Sequence, residues 1–277
     1  MLRNTRLGAI AATAAALLIL TGCSAPSSSE EASETVTAGK LTVATGEPAY
    51  SPWVLNDDPA SGEGLEAAVA YAVAEELGFA KDDVEWVRTS FDAAIAPGPK
   101  DFDLNLQQYS ATPEREQAVD FSSPYYVTTQ AVVAKKGTEF AGATKAQDLK
   151  GAKIGVASGS TSLNATNEAI APTQEVQVFN SNDDAIQALN AGQIDALVTD
   201  LPTSFFIVDS EQVTEGTIVG QLDGSATEGD ELAILLPKDS ALTKKVTAAV
   251  DTLRDNGTLD KIAAEWLAEQ GAPVLSK

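Results

Sequence analysis

The sequence predicts an α/β protein built as two similar lobes, each a largely parallel sheet covered by helices. Short β-rich runs alternate with segments of helical periodicity along most of the chain, the pattern of parallel strands joined by crossover helices. Two stretches also repeat one another. FDAAIAPGPKDFDLNL (91–106) and NDDAIQALNAGQIDALVT (182–199) both place a short helix before a strand that opens on an apolar residue followed by aspartate. The chain has 277 residues, room for about two domains at ~150 residues each. A ligand is then expected where strand ends of the two lobes face each other.

The chain opens on an address. Arg3 and Arg6 precede an apolar run, 7–20, which ends at Thr21-Gly22-Cys23. A charged start and a short apolar middle describe a secretory signal; a membrane span would call for ~20 strongly apolar residues. Cys23 is the single cysteine, so it forms no intramolecular disulfide and no thiolate zinc site. Leu20-Thr21-Gly22-Cys23 resembles the lipobox of bacterial lipoproteins. That resemblance implies that residues 1–22 are a lipoprotein signal peptide, that Cys23 is acylated, and that the lipid anchors the chain at the extracytoplasmic face of the cell membrane. Residues 23–39 are rich in Ser, Thr, Ala and Glu with no aromatic, too poor in apolar surface to offset the entropy of ordering, and are expected to be a flexible tether.

Folded structure is expected from Lys40. Leu41-Thr42-Val43-Ala44 alternates as a strand, and Leu65, Val69, Ala72, Val73 and Leu77 recur at helical spacing until Gly78 stops the helix. Residues 84–87 read as a strand, 91–95 as a short helix and 102–106 as a third strand. The later passage reads as a strand at 153–157, a helix at 160–170 and a strand at 176–179. A helix opened by Asn182-Asp183-Asp184 and ended by Gly192 then leads to a strand at 194–198.

Composition narrows the function. With 18 Lys+Arg against 40 Asp+Glu the formal charge is −22, which repels phosphate backbones and excludes nucleic acid as a partner. There is no histidine, so Ser-His-Asp and Cys-His catalysis and His-ligated metal sites are ruled out.

Ser110-Ala111-Thr112-Pro113-Glu114-Arg115, followed by Asp120-Phe121-Ser122-Ser123-Pro124-Tyr125, resembles the S-x-T-x-x-R and D-F-S-x-P-Y signature of the extracytoplasmic solute-binding proteins that serve ABC importers of polar amino acids. Other blocks agree in order: Gly64-Leu65-Glu66, 148–151, Gly159-Ser160-Thr161, and 253–267 as a closing helix pair. The resemblance runs from Lys40 to Gln270. It implies the Venus-flytrap fold of type II periplasmic binding proteins, with two crossing hinge strands placed near 130–136 and 230–237. Lobe one would take residues 40–131 and 231–277, and lobe two residues 132–230.

A free α-amino acid carries one carboxylate and one ammonium, and each needs a counter-charge when buried. Arg115 presents a planar fork suited to a carboxylate, and the resemblance gives it the ligand's α-carboxylate. Ser110 is implied as a hydroxyl and backbone partner of the head group. Thr161, at the start of a predicted helix, offers N–H and hydroxyl donors. The resemblance assigns the ammonium to Asp200, with Gln108 close to that site. For the ligand side chain, Tyr50 and Phe91 are expected as aromatic walls, Glu47 and Glu66 as a distal negative charge, and Trp53 as a lid or core residue. Arg115 and Asp200 fall in different lobes, so a ligand bridging them would stabilise the closed form. None of these residues is a lysine or a second arginine, which favours a cationic or amide-bearing amino acid over an anionic one.

The chain is therefore expected to be a monomeric, lipid-anchored receptor, not an enzyme, with no metal and no cofactor. It lacks a phosphate-cradling G-x-x-x-x-G-K-[ST] loop, so the ABC permease it serves would rely on a cytosolic ATPase from another polypeptide. Two other readings use the same fold. One is a secreted enzyme of the prephenate or arogenate dehydratase kind, in which Glu66 or Glu47 would act as the acid. The other is a sensor ectodomain that would signal through a separate partner.

Overall fold

The computed structural model describes residues 34–223, 230–267 and 271–276. The expected signal segment, Cys23 and residues 24–33 of the expected tether lie outside the described residues. The remaining tether residues are corrected from leash to docked chain: the Val36 N–H donates to Asp103 Oδ1 at 2.8 Å, and Glu34 pairs with Lys245. Residues 34–39 thus run along the first lobe, held by polar partners instead of apolar burial.

The chain first forms β1 (Leu41–Thr45), α1 (Leu65–Glu76), β2 (Val84–Arg88), α2 (Phe91–Ile95), β3 (Leu104–Asn105) and β4 (Val119–Thr128). It continues as β5 (Gln130–Lys135), β6 (Ile154–Ala157), α3 (Ser162–Ala169), β7 (Gln177–Phe179), α4 (Asn182–Asn190), β8 (Ala196–Asp200), α5 (Leu201–Asp209) and β9 (Gly216–Leu222). It closes with β10 (Asp230–Pro237), α6 (Thr243–Asp255), α7 (Thr258–Trp266) and β11 (Val274–Leu275). Among the described residues these strands make two sheets, of order β2-β1-β3-β10-β4 and β11-β9-β5-β8-β6-β7. β1, β2 and β3 are parallel, as are β6, β7 and β8; β10, β4, β5 and β9 supply the antiparallel pairs.

The chain passes between the sheets at Thr129 and again between β9 and β10. Residues 130–136 and 230–237, expected as the crossings, instead begin where each crossing ends: Gln130 already pairs with Asp200 in the second sheet, and Asp230 with Thr128 in the first. The carboxyl end also departs from expectation. β11 pairs with β9 through Val274 and Gln221, so the last residues of the 231–277 segment join the second sheet.

The repeated sequence stretches do the same physical task in both lobes. Asp103, just ahead of β3, accepts from the Thr42 N–H of neighbouring β1 at 2.8 Å; Asp195, just ahead of β8, accepts from the Lys153 N–H leading into neighbouring β6, also at 2.8 Å. Each carboxylate satisfies a backbone donor at the start of a parallel strand. This explains why β3 and β8 begin two residues later than the apolar pattern predicts: the apolar-Asp pair belongs to the turn.

In the second lobe, Val132, Ala134, Ile154, Ala196 and Val198 pack on one face while Val133 and Leu197 pack with Ile186 and Leu189 on the other. Burial on both faces accounts for strands that read as continuous apolar runs. In the first lobe α1, α6 and α7 cover one face of the sheet through Leu65, Val69, Val73, Val246, Val250 and Leu259. Gly64, the residue before α1, has a φ of +104°, and a Cβ there would lie 2.5 Å from the Trp53 carbonyl oxygen, so glycine alone fits. No helix among the described residues is long and apolar enough to cross a membrane.

Candidate ligand-binding site

The parallel strands β1, β3, β6, β7 and β8 all send their carboxyl-terminal loops to one cleft between the lobes. There a cavity of about 160 Å³ is lined from the first lobe by Glu47, Tyr50, Phe91, Gln107, Gln108, Ser110 and Arg115, and from the second by residues 157–158, 160–162, 180–182, Thr199 and Asp200. Eight of the ten expected ligand residues meet on it.

Arg115 follows the Thr112-Pro113 turn, where Thr112 Oγ1 accepts from the Arg115 N–H at 3.3 Å. Its guanidinium donates to the Ser110 carbonyl at 2.6 Å within its own lobe and to the Gly159 carbonyl at 2.7 Å in the other. It also lies over the Phe91 ring at 5.3 Å, a cation–π contact. Burial lowers the Arg115 pKa, opposed by negative charge that includes Asp230 and Asp200, and the group stays charged across the physiological range. Gly159 has φ +70°, and a Cβ on it would sit 2.6 Å from Asp92 Oδ1, so the lobes meet here over bare backbone.

Asp200 ends β8. Burial, then the neighbouring Asp230 charge, raises its pKa to about 7. Gln130 Nε2 donates to Asp200 Oδ1 and to Asp230 Oδ2, both at 2.6 Å, and Ser162 Oγ donates to Gln130 Oε1 at 2.7 Å. Thr161 precedes α3 but does not cap it with its side chain; Thr161 Oγ1 donates to Asp230 Oδ2 at 2.9 Å. Gln130 and Asp230 are site partners that the sequence did not suggest. Each stands at the first paired residue after a crossing, and only the joining of the two crossings brings them together.

Tyr50 reaches across the cleft, its hydroxyl donating to Asp183 Oδ2 at 3.2 Å. Phe91 also packs on Tyr109 with ring centroids 4.6 Å apart. Two expected pocket residues lie off the cavity, and of the two readings of Trp53, lid or core, the structure gives core. Trp53 has no exposed surface; it packs edge-on against Tyr126, and its indole N–H donates to Thr203 Oγ1 of α5 at 2.9 Å, so it joins the lobes beside the cavity without lining it. Glu66 is 1 % exposed and does not line the cavity either. Its carboxylate accepts from the Gln108 N–H at 2.6 Å, from Gln108 Nε2 and from the Tyr125 hydroxyl. Burial raises its pKa to about 7, and these three donors oppose that rise. The carboxylate is enclosed by these donors and presents no surface to the cavity.

Two α/β lobes closing over one small polar cavity, with a cation on one wall and a buried carboxylate on the other, define a solute-binding protein of the two-lobed kind. The chain matches the bacterial extracellular solute-binding proteins, family 3, over residues 41–269, and it belongs to that family. It is 34 % identical over 229 residues to the L-arginine-binding protein of Pseudomonas aeruginosa, covering 80 % of this chain and 86 % of that one. An ancestral arginine-binding protein solved with arginine superposes with a TM-score of 0.69 at 32 % identity, covering 83 % of this chain and 99 % of that one. An ancestral arginine-binding protein solved with glutamine gives 0.69 and 32 %, covering 84 % and 100 %. These relatives are binding proteins, and this chain is a binding protein rather than an enzyme.

Proposed function

We infer that the chain captures one free polar amino acid between its lobes and delivers it to the permease of an ABC importer. The observation that carries this reading is the placement of Arg115 and Asp200, one from each lobe, on the same cavity. Arg115 retains donors for an α-carboxylate beyond the two it spends on Ser110 and Gly159. Asp200 is the counter-charge for the ammonium. A solute held by both links the lobes, so binding energy becomes closure.

The ligand is cationic or amide-bearing. Among the described residues lining the cavity, Arg115 is the single cation, while Glu47, Gln107, Gln108 and Asn180 supply acceptors. A distal carboxylate would find no partner there. The ancestral arginine-binding proteins solved with arginine and with glutamine support the same pair of candidates. A thermal-shift panel of amino acids tests this: arginine or glutamine at 100 times its dissociation constant should add ~2.7 kcal/mol of stability. Aspartate and glutamate should leave the melting temperature unchanged. A response confined to those two acids would overturn the ligand class.

The anchor is proposed from Leu20-Thr21-Gly22-Cys23. Acylation of Cys23 would hold the receptor at the outer face of the membrane beside its permease. Cys23→Ala should leave the protein unacylated and release it to the soluble extracytoplasmic fraction; a variant that stays membrane-bound and normally processed would refute the anchor.

A further inference from the structure

Gln108 lines the cavity with a backbone φ of +53°, a left-handed conformation that a residue with a Cβ rarely adopts. One buried group accounts for it. Glu66, the second residue of α1, takes both the backbone N–H and the side-chain Nε2 of Gln108, while Tyr125 of β4 donates its hydroxyl to the same carboxylate. Tyr125 is 5 % exposed and Glu66 1 %, so this unit sits beneath the cavity floor.

We propose that Glu66 is a positioning residue for solute binding: its carboxylate holds Gln108 in the left-handed turn that shapes the cavity floor between β3 and Ser110. The inference rests on the amino-acid-binding reading above and deepens it. Glu66 meets three donors and no acceptor, which suits a carboxylate and not its neutral amide. Two of the three donors belong to the residue whose backbone is strained, so the anion directly offsets the cost of that conformation. Gln108 in turn precedes Tyr109 and Ser110, and the Ser110 carbonyl is where Arg115 is tied. The position of the carboxylate-binding arginine and the shape of the floor therefore share one support.

The test is a double-mutant cycle read by calorimetry with L-arginine and L-glutamine. Glu66→Gln in the natural background should weaken binding of both ligands by about the same factor, on the order of tenfold, because the effect passes through the backbone and not through a ligand charge. Gln108→Gly resets the baseline, since glycine adopts this φ without strain. In that background Glu66→Gln should cost less than about twofold. Glu66→Ala, which removes all three bonds, should show the same dependence on background. Equal losses in both backgrounds would overturn the proposal, as would a loss confined to arginine, or no loss with either substitution. Arg115→Ala in the same panel separates this proposal from the reading beneath it. Unchanged affinity there would refute the head-group assignment, while the background dependence of Glu66→Gln would still decide the role of Glu66.

Discussion

Arg115→Ala is expected to weaken binding of the amino acid that gives the largest thermal shift by ~2–5 kcal/mol, the cost of leaving a desolvated carboxylate without its partner. That is about 30-fold to several thousandfold in affinity. Two losses combine. The ligand carboxylate loses its fork of donors, and the closed form loses the bond from Arg115 to the Gly159 carbonyl that spans the lobes. Arg115→Lys should recover part of the loss, because an ammonium keeps the charge but cannot reach the Ser110 and Gly159 carbonyls and a bidentate ligand from one planar group. Isothermal titration of the three proteins measures both steps. Affinity within a factor of two of the natural protein for Arg115→Ala would show that the carboxylate is held elsewhere.

Asp200→Asn is expected to cost a comparable amount and to change the response to pH. Burial and Asp230 hold the Asp200 pKa at about 7 in the folded protein, whereas a bound ammonium favours the ionised form. Binding must therefore expel a proton below pH 7. Affinity should fall by about tenfold per pH unit below that point and level off above it. The same shift acts on stability with a definite sign. A carboxyl whose folded pKa is raised from 3.8 to about 7 favours the folded state at low pH, and that contribution is lost as pH rises through this window. Ligand-free protein should thus lose stability from Asp200 between pH 4 and 7, and bound amino acid should restore it. Asp200→Asn should flatten the affinity profile and leave in the stability profile the share of Glu66, whose pKa is also raised to about 7. Proton release followed in two buffers of different ionisation enthalpy provides the check, and a pH-independent affinity in the natural protein would refute the coupling.

Both expectations depend on residues legible in the sequence. A carboxylate needs a planar cation and an ammonium needs an anion, but residue type alone leaves Arg115 a surface arginine and Asp200 a helix cap; it is the resemblance carried by Ser110–Arg115 and the blocks after it that singles them out. The alternation of strands and helices likewise marks both lobes, because parallel strands buried on two faces read as apolar runs bounded by turns. Even the internal repeat is visible as a pair of apolar-Asp steps. Its meaning is not, since Asp103 and Asp195 act on the neighbouring strands at Thr42 and Lys153.

The elements that escape sequence reasoning share a cause. β4 carries Pro124 and polar residues in alternation with apolar ones, β9 is interrupted by Gly216 and Gly220, and α5 begins with Leu-Pro and runs through aromatic and β-branched residues of modest helix propensity. Each is held by neighbours distant in sequence: β4 by β10, β9 by β5, and α5 through Thr203 by Trp53. Local pattern cannot report a partner supplied from elsewhere in the chain.

The same limit separates Glu66 from Asp200. Both are carboxylates next to an element boundary, and a sequence offers either one as a charge for the ligand. Composition and the order of elements were already determined by the linear chain, because they depend on residue type and on spacing within one segment. Which carboxylate lines the cavity, which is enclosed away from it, and how Gln130 and Asp230 come to share a hydrogen-bond network with Asp200 were decided by tertiary folding. Those relations join residues up to 100 positions apart, and the direction in which a buried side chain points is set by the packing of both lobes together.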